Sequence, residues 1–89
     1  MADIEDWRKK IDEIDLELVR LLNERSQCAI EIGRLKKSLD VAIYDPEREG
    51  EVIERVCSAA PGPLSKEAVK RLFERIIDES RRAERESGD

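Results

Sequence analysis

From Asp3 to about Leu39 the apolar residues recur in alternating steps of three and four. Ile4, Trp7, Ile11, Ile14, Leu18 and Leu21 begin the series, and Cys28, Ile32, Leu35 and Leu39 continue it. That spacing is the seam of a coiled coil. The stretch holds no proline and a single glycine, Gly33. It predicts one helix over about 3–39, a rod of about 54 Å at 1.5 Å rise per residue. The 50 residues that follow Leu39 are too few to cover such a stripe. A second copy of the same chain is the simplest cover, so the pattern predicts an obligate dimer.

The pattern breaks at Asp40–Tyr44 and resumes with different punctuation. Asp45 reads as a helix N-cap, Pro46 as the first helical residue, and Glu47 and Glu49 as first-turn acids that suit the helix dipole. Val52, Ile53, Val56 and Cys57 give this second helix, about 46–59, an apolar face. Pro61-Gly62-Pro63 ends it. Ser65 is the expected cap of a third helix over about 66–85, with the stripe Val69, Leu72, Phe73, Ile76 and Ile77. A charged tail, Arg81 to Asp89, is expected to fray. The fold class is therefore all-α: three helices, one very long, one short and one medium, in a single domain over 1–89.

Composition narrows the function classes. Of 89 residues 44% are charged and only 3% aromatic, with 17 basic against 22 acidic side chains and a net charge of −5. No basic excess is available to neutralise phosphates, which argues against nucleic acid as a partner. No apolar run approaches the ~20 residues of a membrane span, and the N-terminus lacks the apolar core of a signal peptide. Two cysteines and no histidine make neither a disulfide framework nor a zinc site. These features point to a soluble, cytoplasmic protein.

Arg25 is the most informative residue. The seam 4, 7, 11, 14, 18, 21 next calls for an apolar residue at 25 and finds an arginine. Such an arginine either snorkels to water or is kept on the seam because it meets an anion. Lys36 follows 11 residues later, three turns plus 20°, so both cations point the same way about 16 Å apart by helix rise. A small anion fits between them. Arg8, about 42 Å from Lys36 along the rod, cannot serve that anion within one chain but can do so across an antiparallel dimer. Asp45, Arg48 and Glu49 cluster at a helix start, where capping alone would explain them. On position alone Ser80 reads as a tolerated small polar residue and Glu84 as a surface charge.

The ordered set of motifs resembles the all-helical chorismate mutases over nearly the whole chain. It is carried by WRKKIDEIDLELVRLLNERSQCAIEIGRLKKS, then YDPERE, then RLFERIIDESRRAE. Within these, I-D-x-I-D, L-L-x-E-R, I-G-x-x-K and D-P-E-R-E stand at the family's distances. The resemblance implies rearrangement of chorismate to prephenate, without cofactor or metal, in phenylalanine and tyrosine biosynthesis. It implies an intertwined homodimer with two equivalent sites, each taking one arginine from the other chain. Arg8 (from the partner) and Arg25 match carboxylate-binding arginines, and Lys36 matches the lysine that donates to the ether oxygen. Arg48 matches a further cation, Asp45 and Glu49 the holders of the ring hydroxyl, and Ser80 a serine near the ring carboxylate. Ala29, Ile32, Val52 and Ile77 would be apolar walls. Fusion to, or docking on, another enzyme of the pathway is also implied.

Two residues depart from the family pattern. Glu84 stands where many bacterial members carry a donating glutamine, so it must be protonated to donate; some members do carry glutamate there. Arg81 occupies a place that is often apolar, and its direction is open. Two other functions fit the sequence. An isochorismate pyruvate-lyase shares the fold and the basic pocket, although Asp45 and Glu49 suit chorismate better. A non-catalytic helical dimer acting as scaffold or regulator would have no reason to keep Arg25 on its seam.

Overall fold

A computed structural model describes residues 3–60 and 62–87. Among them are three helices and no strand: α1 over Ile4–Ser38, α2 over Pro46–Ala59 and α3 over Lys66–Ser87. Each start is set locally. Asp3 and Asp6 form a reciprocal capping box, Asp6 N donating to Asp3 Oδ1 at 2.9 Å and Asp3 N to Asp6 Oδ2 at 3.1 Å. Asp45 Oδ1 accepts from Arg48 N at 3.1 Å with Pro46 in the first turn, and Ser65 Oγ accepts from Ala68 N at 3.0 Å.

α1 stops in a Schellman arrangement. Val41 N reaches back to Lys36 O at 2.8 Å and Asp40 N to Lys37 O at 3.2 Å. That geometry puts Asp40 at φ 56°, the left-handed region where glycine is the usual occupant. The turn redirects the chain into the short segment that delivers Asp45 to the start of α2.

α3 packs against both other helices, whereas α1 and α2 make no close approach to each other. α3 therefore forms the back wall of a gap between α1 and α2. The predicted fraying of the tail is not what the structure shows. Residues 81–87 continue α3, and Arg81, Ala83 and Glu84 are partly buried because this end of the helix faces α1 and α2. Leu72, placed on the packed stripe by its spacing, is 53% exposed. Three sequence expectations fall outside the described residues: the helix-ending role of Pro61, the tail at Gly88 and Asp89, and the domain's first two positions.

The N-terminal half of α1 has no cover within the chain. Ile4, Trp7, Ile11, Ile14, Leu18 and Leu21 are all exposed, Trp7 at 63%. Val69 is the only buried apolar residue among those described. The molecule measures 58 × 26 × 14 Å with a radius of gyration of 16.2 Å, against about 12 Å for a compact chain of this length. No helix among the described residues is long and apolar enough to cross a membrane.

Replacing Asp40 by glycine removes the side chain from a left-handed position without touching the site. The expected result is a gain of about 0.5–1 kcal/mol in denaturant unfolding at fixed protein concentration, with helix content unchanged.

Candidate active site

Arg25 leaves the seam and points into the gap. Its Nη1 donates to Ser80 Oγ on α3 at 2.9 Å, and Ser26 Oγ lies 3.5 Å from the same hydroxyl. Ser80 is 5% exposed. It is thus a buried partner of the seam arginine, not the incidental polar residue that its position suggested. A buried hydroxyl needs such a partner, and the bond fixes the guanidinium at the mouth of the gap.

Lys36 is held from the opposite side. Its ammonium donates to Ile43 O at 3.3 Å and lies 3.9 Å from Asp45 Oδ2. Asp45 therefore uses one oxygen to cap α2 and the other to steady the lysine. Arg48, one turn into α2, is more than half exposed and pairs weakly with Glu51 at 3.8 Å. Its side chain keeps its freedom to swing over a ligand.

Glu49 is engaged by a residue whose direction the sequence left open. Arg81 Nη2 on α3 donates to Glu49 Oε1, and its guanidinium carbon sits 5.0 Å from the centre of the Tyr44 ring. Arg81 therefore faces inward. Glu49 Oε2 makes no hydrogen bond among the described residues, which leaves it able to accept one from a ligand.

Glu84 is the remaining predicted residue, and its carboxylate lies against the backbone of α1. A Cβ added at Gly33 would stand 3.2 Å from Glu84 Oε2. Burial pushes the Glu84 carboxyl above its ordinary value, while Lys36 and Arg81 pull it back without cancelling the rise. Gly33 is buried. It was not among the residues singled out from the sequence, although it lies within I-G-x-x-K and is the lone glycine of α1. Tyr44 and Ile43 were also missed, since nothing in a five-residue loop's composition says which way its side chains turn.

Together these side chains line a cavity of about 270 Å³, near the lower end of the range that holds small metabolites, roughly 300–1,000 Å³. Arg25, Lys36, Asp45, Arg48, Glu49, Ser80 and Glu84 all border it, as do the expected walls Ala29, Ile32, Val52 and Ile77. Arg8 does not. It pairs with Glu5 at 2.8 Å on the distant, exposed end of α1, where the sequence placed it for use by another copy. Among the described residues no cluster of carboxylates and thiols has the form of a metal site.

Fold and cavity define a class: a three-helix protein in which an arginine and a lysine of one long helix border the same cavity, with carboxylates set opposite. The chain belongs to the chorismate mutase type II family, whose sequence model matches residues 7–85. It is 47% identical over 78 residues to a bifunctional chorismate mutase/prephenate dehydratase of Neisseria gonorrhoeae, covering 88% of this chain and 21% of that protein. It is 43% identical over 49 residues to a chorismate mutase of Methanocaldococcus jannaschii, covering 55% of this chain and 50% of that one. A chorismate mutase structure from Thermus thermophilus superposes with a TM-score of 0.90 at 38% identity, over 92% of this chain and 93% of that one. The chain spans about a fifth of the length of the bifunctional relatives it matches.

Gly33→Ala separates stability from site geometry. Alanine favours a helix interior by about 1 kcal/mol over glycine, yet its methyl group displaces the Glu84 carboxylate. Unfolding stability is expected to hold or rise while the activity proposed below falls.

Proposed function

We propose that this chain converts chorismate to prephenate as an antiparallel homodimer, with each cavity completed by Arg8 of the second copy. The convergence of Arg25 and Lys36 on one cavity carries the proposal, and the chain's family membership supports it. Arg25 and the incoming Arg8 bind the two carboxylates of the substrate. Asp45 and Glu49 Oε2 take the ring hydroxyl, Ser80 sets Arg25, and Arg48 closes the open side. Held this way, a flexible dianion is confined to the shape in which its ends can react. Lys36 and a protonated Glu84 then donate to the ether oxygen as its bond to carbon breaks and negative charge gathers there.

The dimer rests on area as well as pattern. The chain exposes 7449 Å², about 2,000 Å² more than a compact monomer of its mass. An excess of that size suits an obligate interface, which buries roughly 2,000–5,000 Å² in total. In an antiparallel pair the bare half of one α1 lies along the site half of the other, which takes Arg8 to the cavity. A cytoplasmic setting and a companion enzyme that consumes prephenate, fused or docked, belong to the same proposal.

Loss of chorismate absorbance with prephenate as product tests the activity directly. Salicylate and pyruvate from isochorismate instead would establish the lyase, and turnover of neither would favour the scaffold. Shared sites have their own test. Arg8→Ala and Arg25→Leu each abolish most activity alone, but one site in a mixed dimer keeps both arginines. Co-refolding equal amounts is expected to restore roughly a quarter of wild-type activity, by random pairing of two-site dimers.

The pH dependence follows from Glu84. Its carboxyl is raised in the folded protein, so the donating form prevails on the acidic side and is lost as pH rises through the raised value. Turnover is expected to fall across that interval. Glu84→Gln, which donates at every pH, is expected to flatten the profile, and matching profiles for the two proteins would remove Glu84 from the mechanism.

A further inference from the structure

Most ion pairs in the chain join neighbours three or four residues apart on one helix, with both partners open to water, such as Arg20–Glu24 and Arg75–Glu79. Pairs of that kind contribute little to geometry. Arg81–Glu49 differs. It runs from the fifth turn of α3 to the first turn of α2, and the exposures of its side chains are 35% and 25%. The same guanidinium covers the face of Tyr44 in the loop between α1 and α2, and it is steadied by Asp78 Oδ1 at 3.3 Å on its own helix. One side chain thus touches α2 and the connecting loop from α3. It borders the site cavity and also the larger groove on the other side of Glu84.

This contact has a structural consequence because the backbones of α1 and α2 make no close approach. The gap between them is set through α3 and through the loop. Lys36 ties the loop to α1 by Ile43 O and Asp45, and Arg81 ties loop and α2 to α3. Without Arg81, Glu49 would lose its one ionic partner among the described residues and stand in a cavity that already holds Asp45 and Glu84. Like charges would then push the carboxylates apart and away from a ring hydroxyl.

We propose that Arg81 is a positioning residue of this site: it fixes the Glu49 carboxylate and the Tyr44 ring, and it holds a positive charge beside Glu84. The proposal rests on the function proposed above, which gives Glu49 and Glu84 their tasks. It acts through those residues and does not require Arg81 to touch the substrate. Glu84 is faced from α1 by Lys36, with Arg25 toward the other end of the cavity and Arg34 and Lys37 across the groove. From the loop and α2 it is faced by Asp45, Arg48 and Glu49, and on its own helix by Arg81 and Arg85. Of these, Lys36 and Arg81 are the cations that ease its ionisation.

Two variants divide the two tasks. Arg81→Lys keeps the charge but loses the planar fork that grips a carboxylate and stacks on a ring. Arg81→Met keeps the length and loses both. Arg81→Lys is expected to raise KM for chorismate by roughly 3–10-fold and to leave the pH midpoint of turnover where it was. Arg81→Met is expected to raise KM at least as much and to move the midpoint upward, since Glu84 then stays protonated to higher pH. The carboxyl titration of Glu84, followed by carbon NMR in the absence of substrate, is expected to move upward in Arg81→Met and not in Arg81→Lys. A merely structural arginine would lower the unfolding midpoint in both variants without separating them this way. An unshifted Glu84 titration in Arg81→Met, or wild-type KM in both variants, overturns the proposal. Should Arg81→Met not fold, the KM of Arg81→Lys decides. A wild-type protein inactive on chorismate overturns the function instead, and the titration then decides the placement of Arg81 alone.

Discussion

A helix of 35 residues with an apolar stripe along its length cannot be covered by helices of 14 and 22 residues. The rest of the structure is arranged around that mismatch. α3 covers only the C-terminal half of α1, and there the stripe gives way to Arg25, Gly33 and Lys36, with Ser80 and Glu84 facing them. The N-terminal half stays bare and apolar apart from flanking charges such as Arg8. The half that has a site is thus the half that has a cover within the chain. The half that needs a cover carries the one predicted site residue absent from the cavity. Antiparallel pairing would meet both needs with a single contact, so burial of the stripe and completion of the site would be one event.

The electrostatics follow the same economy of placement. A protein of net charge −5 repels a dianion at long range, so binding has to come from a few cations at close quarters. Each is held by a neutral or acidic neighbour on the cavity wall. Arg25 is set by a serine, Lys36 by a carbonyl and a carboxylate, and Arg81 by Glu49 and a ring. Such tethering keeps long side chains from collapsing on one another and leaves little reorganisation for the moment when charge develops. Arg48, with only a 3.8 Å pair on an exposed neighbour, is the cation left free to move.

The elements were legible in the sequence because their signals are local. The 3-4 seam, Asp45 before Pro46, and Ser65 before an apolar stripe each act within one or two turns, and the helices start where those residues stand. Residues on α1 that point together, Arg25 and Lys36, were legible for the same reason: the period of one helix fixes their directions. What could not be read depends on how two helices face each other. Ser80 and Arg81 are adjacent in sequence and differ by 100° on α3, yet both turn inward because α1 lies on one side of that helix and α2 on the other. Leu72 lies on the expected stripe and is nonetheless 53% exposed, between the covered residues Val69 and Phe73. Gly33 carries no side chain to announce a role, and its use appears only when Glu84 is seen beside it.

Gly33 and Glu84 are best understood as one feature. A glycine in the middle of a long helix costs about 1 kcal/mol against alanine, in a chain whose described residues include one buried apolar side chain. Nothing in α1 requires it: the residue is helical and makes no turn. Its use lies across the interface, where a Cβ would crowd Glu84 Oε2 at 3.2 Å. The missing methyl group lets the carboxyl settle against α1, where burial favours its neutral form, while Lys36 and Arg81 limit how far that goes. A carboxyl buried without those cations would hold its proton to higher pH. One exposed to water would be ionised and unable to donate. Between these limits, proton occupancy depends on three residues on two helices, Gly33, Lys36 and Arg81, so a change at any of them alters the acid as well as the local packing.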